Sequence, residues 1–160
     1  MEGAVFPYII RMAYQNEWED AMALAWKTFL EFEADDYEPE GIRSFEDFIT
    51  DSALHRMFIM GAYQMFVALD GFRMTGMITV RGNSHISLLF VDKEYHRKGI
   101  GRALMEELCS YLRAELGIGR VTVNASPFGA EFYHRLGFKD MQPEQTSSGI
   151  RYTPMELFLR

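Results

Sequence analysis

The order of hydrophobic and polar positions predicts a short strand and then an amphipathic helix near the amino end of the chain. Residues 8–12 are mostly apolar and suit a strand. Asn16, with Glu19 three residues later, predicts the start of a helix, and Ser44 predicts a second helix over residues 44–51. The buried face of the first helix has apolar side chains at helical spacing, which are Trp18, Met22, Ala25, Phe29 and Phe32.

The middle of the chain changes to the alternation that is typical of strands. Residues 65–69 and 72–80 flank Asp70-Gly71, a pair that favours a tight hairpin turn. A third strand over about residues 84–91 alternates so that Ile86, Leu88 and Phe90 would face one side and His85, Ser87, Leu89 and Val91 the other. Both sides become apolar near its end, which predicts burial on both faces or a ligand there.

Helices and strands alternate in the second half of the chain. Leu104, Leu108, Leu112 and Leu116, at four-residue steps, predict a helix that ends at Gly117. A strand over residues 120–124, a short helix from Ser126-Pro127, a strand from Phe138 and a last strand over about residues 152–159 follow. This order favours the α/β class.

Composition and charge narrow the class of protein. A chain of 160 residues with 48% hydrophobic and 24% charged residues suits a single domain over residues 1–160. Its most apolar stretch, residues 86–91, is far shorter than the roughly 20 residues that cross a membrane, and the amino end does not resemble a signal peptide. We therefore expect a cytoplasmic protein with no membrane partner. A net charge of −7 argues against a nucleic-acid partner.

Charged residues are unevenly distributed along the chain. Residues 31–40, here called the acidic segment, contain six acids and no base, and these acids are Glu31, Glu33, Asp35, Asp36, Glu38 and Glu40. Four bases crowd ten residues of the second half, and they are Lys93, Arg97, Lys98 and Arg102. The two segments are either solvated surfaces or places that hold a cation and an anion.

The loop before the leucine-rich helix has features that are typical of an anion-binding site. Gly99 and Gly101 let the backbone approach a ligand, and a helix start offers unpaired N–H groups at the positive end of its dipole. The alternative is that Gly101 only permits close helix–sheet packing. A dinucleotide fingerprint fits poorly because Leu104 stands at the third glycine position, and the P-loop spacing is absent. A nicotinamide-dependent oxidoreductase stays open as an alternative.

These residues resemble the GNAT N-acetyltransferase superfamily. Its acetyl-coenzyme A motif, Gln/Arg-x-x-Gly-x-Gly/Ala, corresponds to residues 96–101, with both glycines present and His96 at the first position. Residues 132–138, FYHRLGF, resemble the family's F/L-Y-x-x-x-G-F segment. The resemblance implies a mixed, largely antiparallel sheet of about six to seven strands flanked by helices, with the fourth and fifth strands splayed apart.

The resemblance also implies acetyl-coenzyme A as the cosubstrate. Its residues would be Leu89, Phe90, Val91, His96, Arg97, Lys98, Gly99, Ile100, Gly101, Arg102 and Asn124. Tyr133 matches the family's tyrosine acid, which protonates the departing thiolate, or is only a packing residue. A backbone N–H of the fourth strand, that of Phe90, would hold the charge that develops on the thioester oxygen.

The base that deprotonates the acceptor amine has several candidates. His85 stands eleven residues before the motif, where relatives often place a carboxylate, and its unperturbed pKa of about 6.5 suits a base. It is equally a surface histidine beside a hairpin turn. Glu31 and Glu33, at the end of the first helix, are further candidates for the base and for binding the acceptor. A water relay needs none of these side chains.

We therefore expect an N-acetyltransferase that moves an acetyl group to a primary amine, on a small molecule or a peptide, by direct attack. The acidic segment favours a cationic acceptor such as a polyamine or a basic peptide end. The alternative is a coenzyme A-binding sensor or interaction module of the same fold. We expect no metal, because the four histidines lack a ligand pattern. Whether the protein forms a homodimer is left open by the sequence.

Overall fold

Residues 5–160, which the computed structural model describes, build one eight-stranded sheet. Residues 1–4, part of the segment considered for a signal peptide, lie outside the described residues. The strands are β1 (Ile9–Met12), β2 (Tyr63–Asp70), β3 (Arg73–Arg81), β4 (His85–Val91), β5 (Arg120–Ala125), β6 (Lys139–Asp140), β7 (Gln145–Ser147) and β8 (Ile150–Phe158). Their order is β1-β2-β3-β4-β5-β8-β6, and β7 pairs with β8.

The predicted mixed, largely antiparallel sheet is confirmed. Among the described strands, β4 and β5 form the one parallel pair, and every other pair is antiparallel. The sheet has eight strands rather than six to seven because β6 and β7, of two and three residues, are too short to produce a recognisable alternation.

Five helices of the described part cover the two faces of the sheet. They are α1 (Trp18–Phe32), α2 (Pro39–Ile49), α3 (Ser52–Ile59), α4 (Ile100–Leu116) and α5 (Ala130–Arg135). One hydrophobic core lies under α1–α3 and includes Phe29 and Met65. A second core lies under α4 and α5 and includes Leu104 and Ile78. None of these helices is both long enough and apolar enough to pass through a bilayer.

The helix starts depart from the predicted caps. Glu17, rather than Asn16, organises the turn before α1, since its carboxylate accepts a hydrogen bond from the Tyr14 N–H at 2.6 Å. The second helix begins at Pro39 instead of Ser44, because proline is favourable in the first turn of a helix. The sequence analysis did not predict α3, which is short and follows α2 almost directly.

A β-bulge in β4 changes which side chains share a face. The register between β3 and β4 skips Ser87, which has no partner on β3. One extra residue shifts the alternation of side chains, so Ile86 packs in the core under α4 whereas Leu88 and Phe90 pack in the core under α1–α3. The prediction that these three side chains face one way was therefore wrong for Ile86.

β4 and β5 separate soon after they meet. Their parallel pairing covers two residue pairs, His85 with Thr122 and Ile86 with Val123. Beyond this point β4 follows β3 and β5 follows β8, so a gap opens within the sheet. The predicted splay of the fourth and fifth strands is confirmed.

We expect Thr28→Val to stabilise the protein. Thr28 is 4% exposed, and its hydroxyl oxygen has no hydrogen-bond partner in the described part of the chain. A buried hydroxyl without a partner costs about 1–3 kcal/mol, so removing it while keeping the shape should raise the free energy of unfolding in urea by about 1 kcal/mol.

Thr79→Val is the matched control for this change. The Thr79 hydroxyl accepts a hydrogen bond from the Tyr63 hydroxyl at 2.7 Å and lies 2.9 Å from that of Ser87, so its loss should lower the free energy of unfolding. A lower stability for Thr28→Val would show that its hydroxyl is in fact hydrogen-bonded.

Candidate active site

A cleft of about 730 Å³ lies where β4 and β5 separate. The end of β4, the loop into α4 and the first turn of α4 form one wall. The end of β5, the turn that follows it and α5 form the opposite wall. The end of α1, the connection from α1 to α2, and α2 contribute the remaining side. The cleft therefore collects residues that are far apart in the sequence.

The loop into α4 presents a row of amide hydrogens at one end of the cleft. In residues 5–160, no acceptor is found for the N–H groups of residues 97–102, whereas the next amide, that of Ala103, donates to the Gly99 carbonyl at 3.0 Å. The φ angle of Gly99 is +83°, a value that favours glycine. A Cβ added at this position would have no neighbouring atom within 4 Å. This arrangement suits a phosphate-like anion.

Gly101 has a different role from Gly99. A Cβ on Gly101 would lie 3.1 Å from the ring of Phe132, so this glycine lets α4 pack closely against α5. The alternative that Gly101 only permits close packing therefore holds for this residue. The space beside Gly99 is free for a ligand.

Asp92, which the sequence analysis did not single out, anchors the loop. Its side chain is buried, and its carboxylate accepts a hydrogen bond from the Glu94 N–H at 3.1 Å. Lys27 and Arg73 each lie 3.3 Å from it. Burial alone would raise the pKa of Asp92, but the Glu94 amide and these two cations hold it below its ordinary value. The anchor is therefore a carboxylate at neutral pH.

The edge of β4 that faces the gap is formed by Leu89 and Val91. The Asp92 N–H donates to the Thr75 carbonyl on β3 at 2.7 Å. Residues of an antiparallel strand alternate in the direction of their N–H groups, so the Phe90 N–H points to β3 and those of Leu89 and Val91 point to the gap. This register argues against the Phe90 N–H as the group that holds the thioester oxygen.

His96 ties the loop to β4 and to α1. Its Nε2 donates to the Val91 carbonyl at 2.7 Å, and its ring lies 4.8 Å from the ring of Phe32. Phe32 in turn stacks on Phe128 at 4.9 Å. His96 therefore bridges the walls of the cleft through its ring, which differs from the role of a Gln or Arg side chain at this motif position.

Glu33, directly after α1, is the acid of the acidic segment that lines the cleft. Burial raises its pKa to about 7, the hydroxyl of Ser126 opposes the rise, and the negative charge of Asp36 adds to it. A carboxyl group with a pKa near neutrality can accept and release a proton at the pH of a cell. Glu33 thus has the properties of a general base.

Tyr133, on α5, lines the same cleft and is buried. Burial, and then the negative charge of Glu33, raise its pKa above the ordinary value for tyrosine. The phenol therefore keeps its proton at neutral pH and can donate it. Glu33 and Tyr133 thus line the same cleft, and the charge of Glu33 acts on the phenol.

Three of the predicted site residues do not reach the cleft. The Nδ1 of His85 lies 2.8 Å from the Thr122 hydroxyl, where β4 and β5 are still paired. Burial and then Arg81 lower the pKa of His85, and its placement argues against it as the base. Glu31 and Lys98 are exposed and lie outside the walls of the cleft.

The other predicted residues are brought together there. The walls include Glu33, Leu89, Phe90, Val91, His96, Arg97, Gly99, Ile100, Gly101, Arg102, Asn124 and Tyr133. Sequence reasoning missed the aromatic residues Tyr37 and Phe128 as site residues. The signal in the sequence was the place of Phe128 directly after Ser126-Pro127, which marks a turn, and the structure leaves its ring 52% exposed.

Comparison with known proteins identifies the family. The model of the acetyltransferase (GNAT) domain matches residues 33–159, so the chain belongs to the GNAT acetyltransferase family. The uncharacterized N-acetyltransferase YafP of Escherichia coli (strain K12) is 31% identical over an alignment 99 residues long, which covers 57% of this chain. The match spans 61% of the length of YafP.

Solved structures have the same fold. A GCN5-related N-acetyltransferase from Rhodopseudomonas palustris, described as an aminotransferase of class II, superposes with a TM-score of 0.80 at 24% identity, covering 94% of this chain and 95% of that one. The PaiA N-acetyltransferase from Thermoplasma acidophilum, in complex with coenzyme A, gives a TM-score of 0.78 at 21% identity, with 94% and 98% covered. Both likenesses establish the fold.

We expect Glu33 to make the stability of the protein depend on pH. Folding raises the pKa of Glu33 from 4.5 to about 7, so the folded state binds more protons than the unfolded state between these values. The wild type therefore loses stability as the pH rises through this window. Relative to Glu33→Gln, its free energy of unfolding should fall by about 3 kcal/mol between about pH 4 and about pH 8.

Urea unfolding of both proteins across this pH range measures the difference. Glu31→Gln, at an exposed acid two residues away, is the control and should follow the wild type at every pH. A constant difference between wild type and Glu33→Gln would mean that folding leaves the pKa of Glu33 unchanged.

Proposed function

We propose that the protein transfers the acetyl group of acetyl-coenzyme A to a primary amine, and the opening between β4 and β5 carries this proposal. Pairing that stops after two residue pairs leaves the Leu89 and Val91 edge of β4 without a neighbouring strand. A chain that contains amide groups, such as pantetheine, can add to such an edge. The gap also leads to the amide row of residues 97–102, which suits a diphosphate.

The charges near the loop support the same assignment. Arg97 and Arg102 line the cleft at the end where the amide row lies, and their positive charges complement a diphosphate. Open space beside Gly99 leaves room for the ligand to approach the backbone. The cosubstrate itself supplies an acetyl group that is activated as a thioester.

Glu33 acts as the general base in this proposal. An alkyl amine is mostly protonated near neutral pH, since its pKa is about 10, and it must lose a proton to attack. Glu33, with a pKa of about 7, accepts that proton directly or through one water molecule. Its negative charge also attracts the ammonium form of the acceptor into the cleft.

Tyr133 acts as the general acid. As the amine nitrogen forms a bond to the acetyl carbon and the carbon–sulfur bond breaks, the phenol donates its proton to sulfur. Glu33 then carries one extra proton and Tyr133 lacks one, and proton exchange with water restores both groups. The gap-facing N–H groups of Leu89 and Val91 are the donors available to the thioester oxygen.

Arg102→Gln should weaken the binding of coenzyme A about tenfold, because a charge-assisted hydrogen bond contributes roughly 1.5–3 kcal/mol. Isothermal titration calorimetry measures the effect, and salt should weaken binding less in the variant than in the wild type. Arg113→Gln, at an exposed position in the last turn of the same helix, is the control and should bind like the wild type. Equal affinity of Arg102→Gln and the wild type would contradict this use of the loop.

The test of the reaction follows thiol release from acetyl-coenzyme A with a panel of primary amines. The wild type should release thiol, and Tyr133→Phe should lower kcat by about 100-fold, the usual contribution of a general acid. Tyr111→Phe, on the outer part of α4 next to Phe66, is the matched control and should keep full activity. Activity should rise with pH through about 7 in the wild type, and Glu33→Gln should lack this rise.

Other outcomes of the same assay point to the alternatives. Tight binding of coenzyme A without thiol release for any amine would reject the transferase and favour a sensor. Binding of NAD without binding of coenzyme A would favour an oxidoreductase. Unchanged kcat in Tyr133→Phe would remove the phenol from the mechanism and leave the protonation of sulfur to water.

A further inference from the structure

Aromatic rings line the same cleft as Glu33. Phe32 lies one residue before Glu33 in the chain and stacks on Phe128 at 4.9 Å, and both rings line the cleft. They come from different sides of the cleft, since Phe32 ends α1 and Phe128 belongs to the turn after β5. The space beside the carboxylate is therefore bounded by flat apolar surfaces.

The connection from α1 to α2 extends this apolar wall. Tyr37 and Phe45 both line the cleft and both pack on the buried ring of Phe29, with centroid distances of 4.9 Å and 4.0 Å. Phe45 also contacts Phe90 of β4 at 5.8 Å. The rings thus form a continuous aromatic surface from α1 to the centre of the sheet.

One carboxylate on the cleft wall is not matched by a cation. Glu131, the other acid that lines the described walls, pairs with Arg135 at 2.6 Å. No cation in residues 5–160 pairs with Glu33, and the remaining charged side chains of the walls, Arg97 and Arg102, are positive. The cleft can therefore neutralise one ammonium group.

The acidic segment adds no further carboxylate to the cleft. Among its six acids, Glu33 alone belongs to the described walls, and Asp36 is held by Arg151 at 3.6 Å. The Glu38 N–H donates to the Gly149 carbonyl at 3.0 Å, which fixes the segment against the turn between β7 and β8. The other four acids are exposed. The acidic segment therefore contributes one carboxylate to the walls of the cleft, and its other acids lie outside these walls.

We propose that the acceptor is a primary monoamine on an aromatic body, an arylalkylamine, and this inference rests on the transferase function proposed above. Its single ammonium group pairs with Glu33, and its ring is buried between Phe32, Phe128 and the Tyr37–Phe45 surface. A second ammonium group, as in a polyamine, would be desolvated against aromatic rings with no carboxylate to pair with it.

The test compares three amines in the thiol-release assay, 2-phenylethylamine, ethylamine and spermidine. The wild type should show a kcat/KM for 2-phenylethylamine at least about tenfold higher than for either of the others, because only this amine buries a ring. The difference from ethylamine should be found mainly in KM, since the ring binds away from the reacting atoms.

Phe128→Ala tests the wall directly. Phe128 is 52% exposed, so its removal should leave the fold intact. We expect kcat/KM for 2-phenylethylamine to fall about tenfold more than that for ethylamine. Phe72→Ala, at a fully exposed ring in the turn between β2 and β3, is the matched control and should change neither value.

The outcomes separate this inference from the function on which it rests. A preference for spermidine, or an equal loss for all three amines in Phe128→Ala, would overturn the arylalkylamine assignment while leaving the transferase in place. Release of no thiol with any amine would overturn the transferase and this assignment together.

Discussion

The departure of β5 from β4 is the constraint on which the rest of the molecule depends. The two strands share two residue pairs and then follow different neighbours, β3 and β8, so the sheet cannot close again. The edge of β4 stays open just where the bulge at Ser87 turns Leu89 and Val91 towards the side of α4. A sheet without this separation would pair those backbone groups and leave no cleft.

The cleft combines two environments that a continuous sheet would not bring together. At one end, the start of α4 offers amide hydrogens and arginine side chains, held in place by the buried carboxylate of Asp92. At the other end, aromatic rings line the walls to which Glu33 belongs, and burial raises the pKa of Glu33 to about 7. That end depends on the far part of the chain, because a Cβ on Gly41 of α2 would lie 2.5 Å from the Gly149 carbonyl. The turn between β7 and β8 therefore sets the position of the aromatic wall.

The motifs could be recognised in the sequence because their geometry is local. Residues 96–101 cover a loop and the beginning of α4, and residues 132–138 cover the end of α5 and the turn after it, so their spacing along the chain is enough to recognise them. The proposed base, Glu33, could not be identified in this way. His85, placed by its spacing from the motif, lies where β4 and β5 are paired, whereas burial in the folded chain raises the pKa of Glu33. A carboxyl group that is buried by distant segments cannot be recognised from the few residues around it in the sequence.

Hydrophobic periodicity was sufficient to predict the class of fold and the order of its elements. It also predicted the hairpin of β2 and β3 and the helix from Ile100 to Leu116. Each of these features follows from interactions between residues that are near neighbours in the sequence. Long-range packing was required for the rest. The bulge that reverses the faces of β4 arises from its register with β3, and the polarity of the cleft arises from rings contributed by α1, α2 and the turn after β5. Such contacts join residues far apart in the chain, and a pattern of neighbouring residues does not encode which distant surfaces meet.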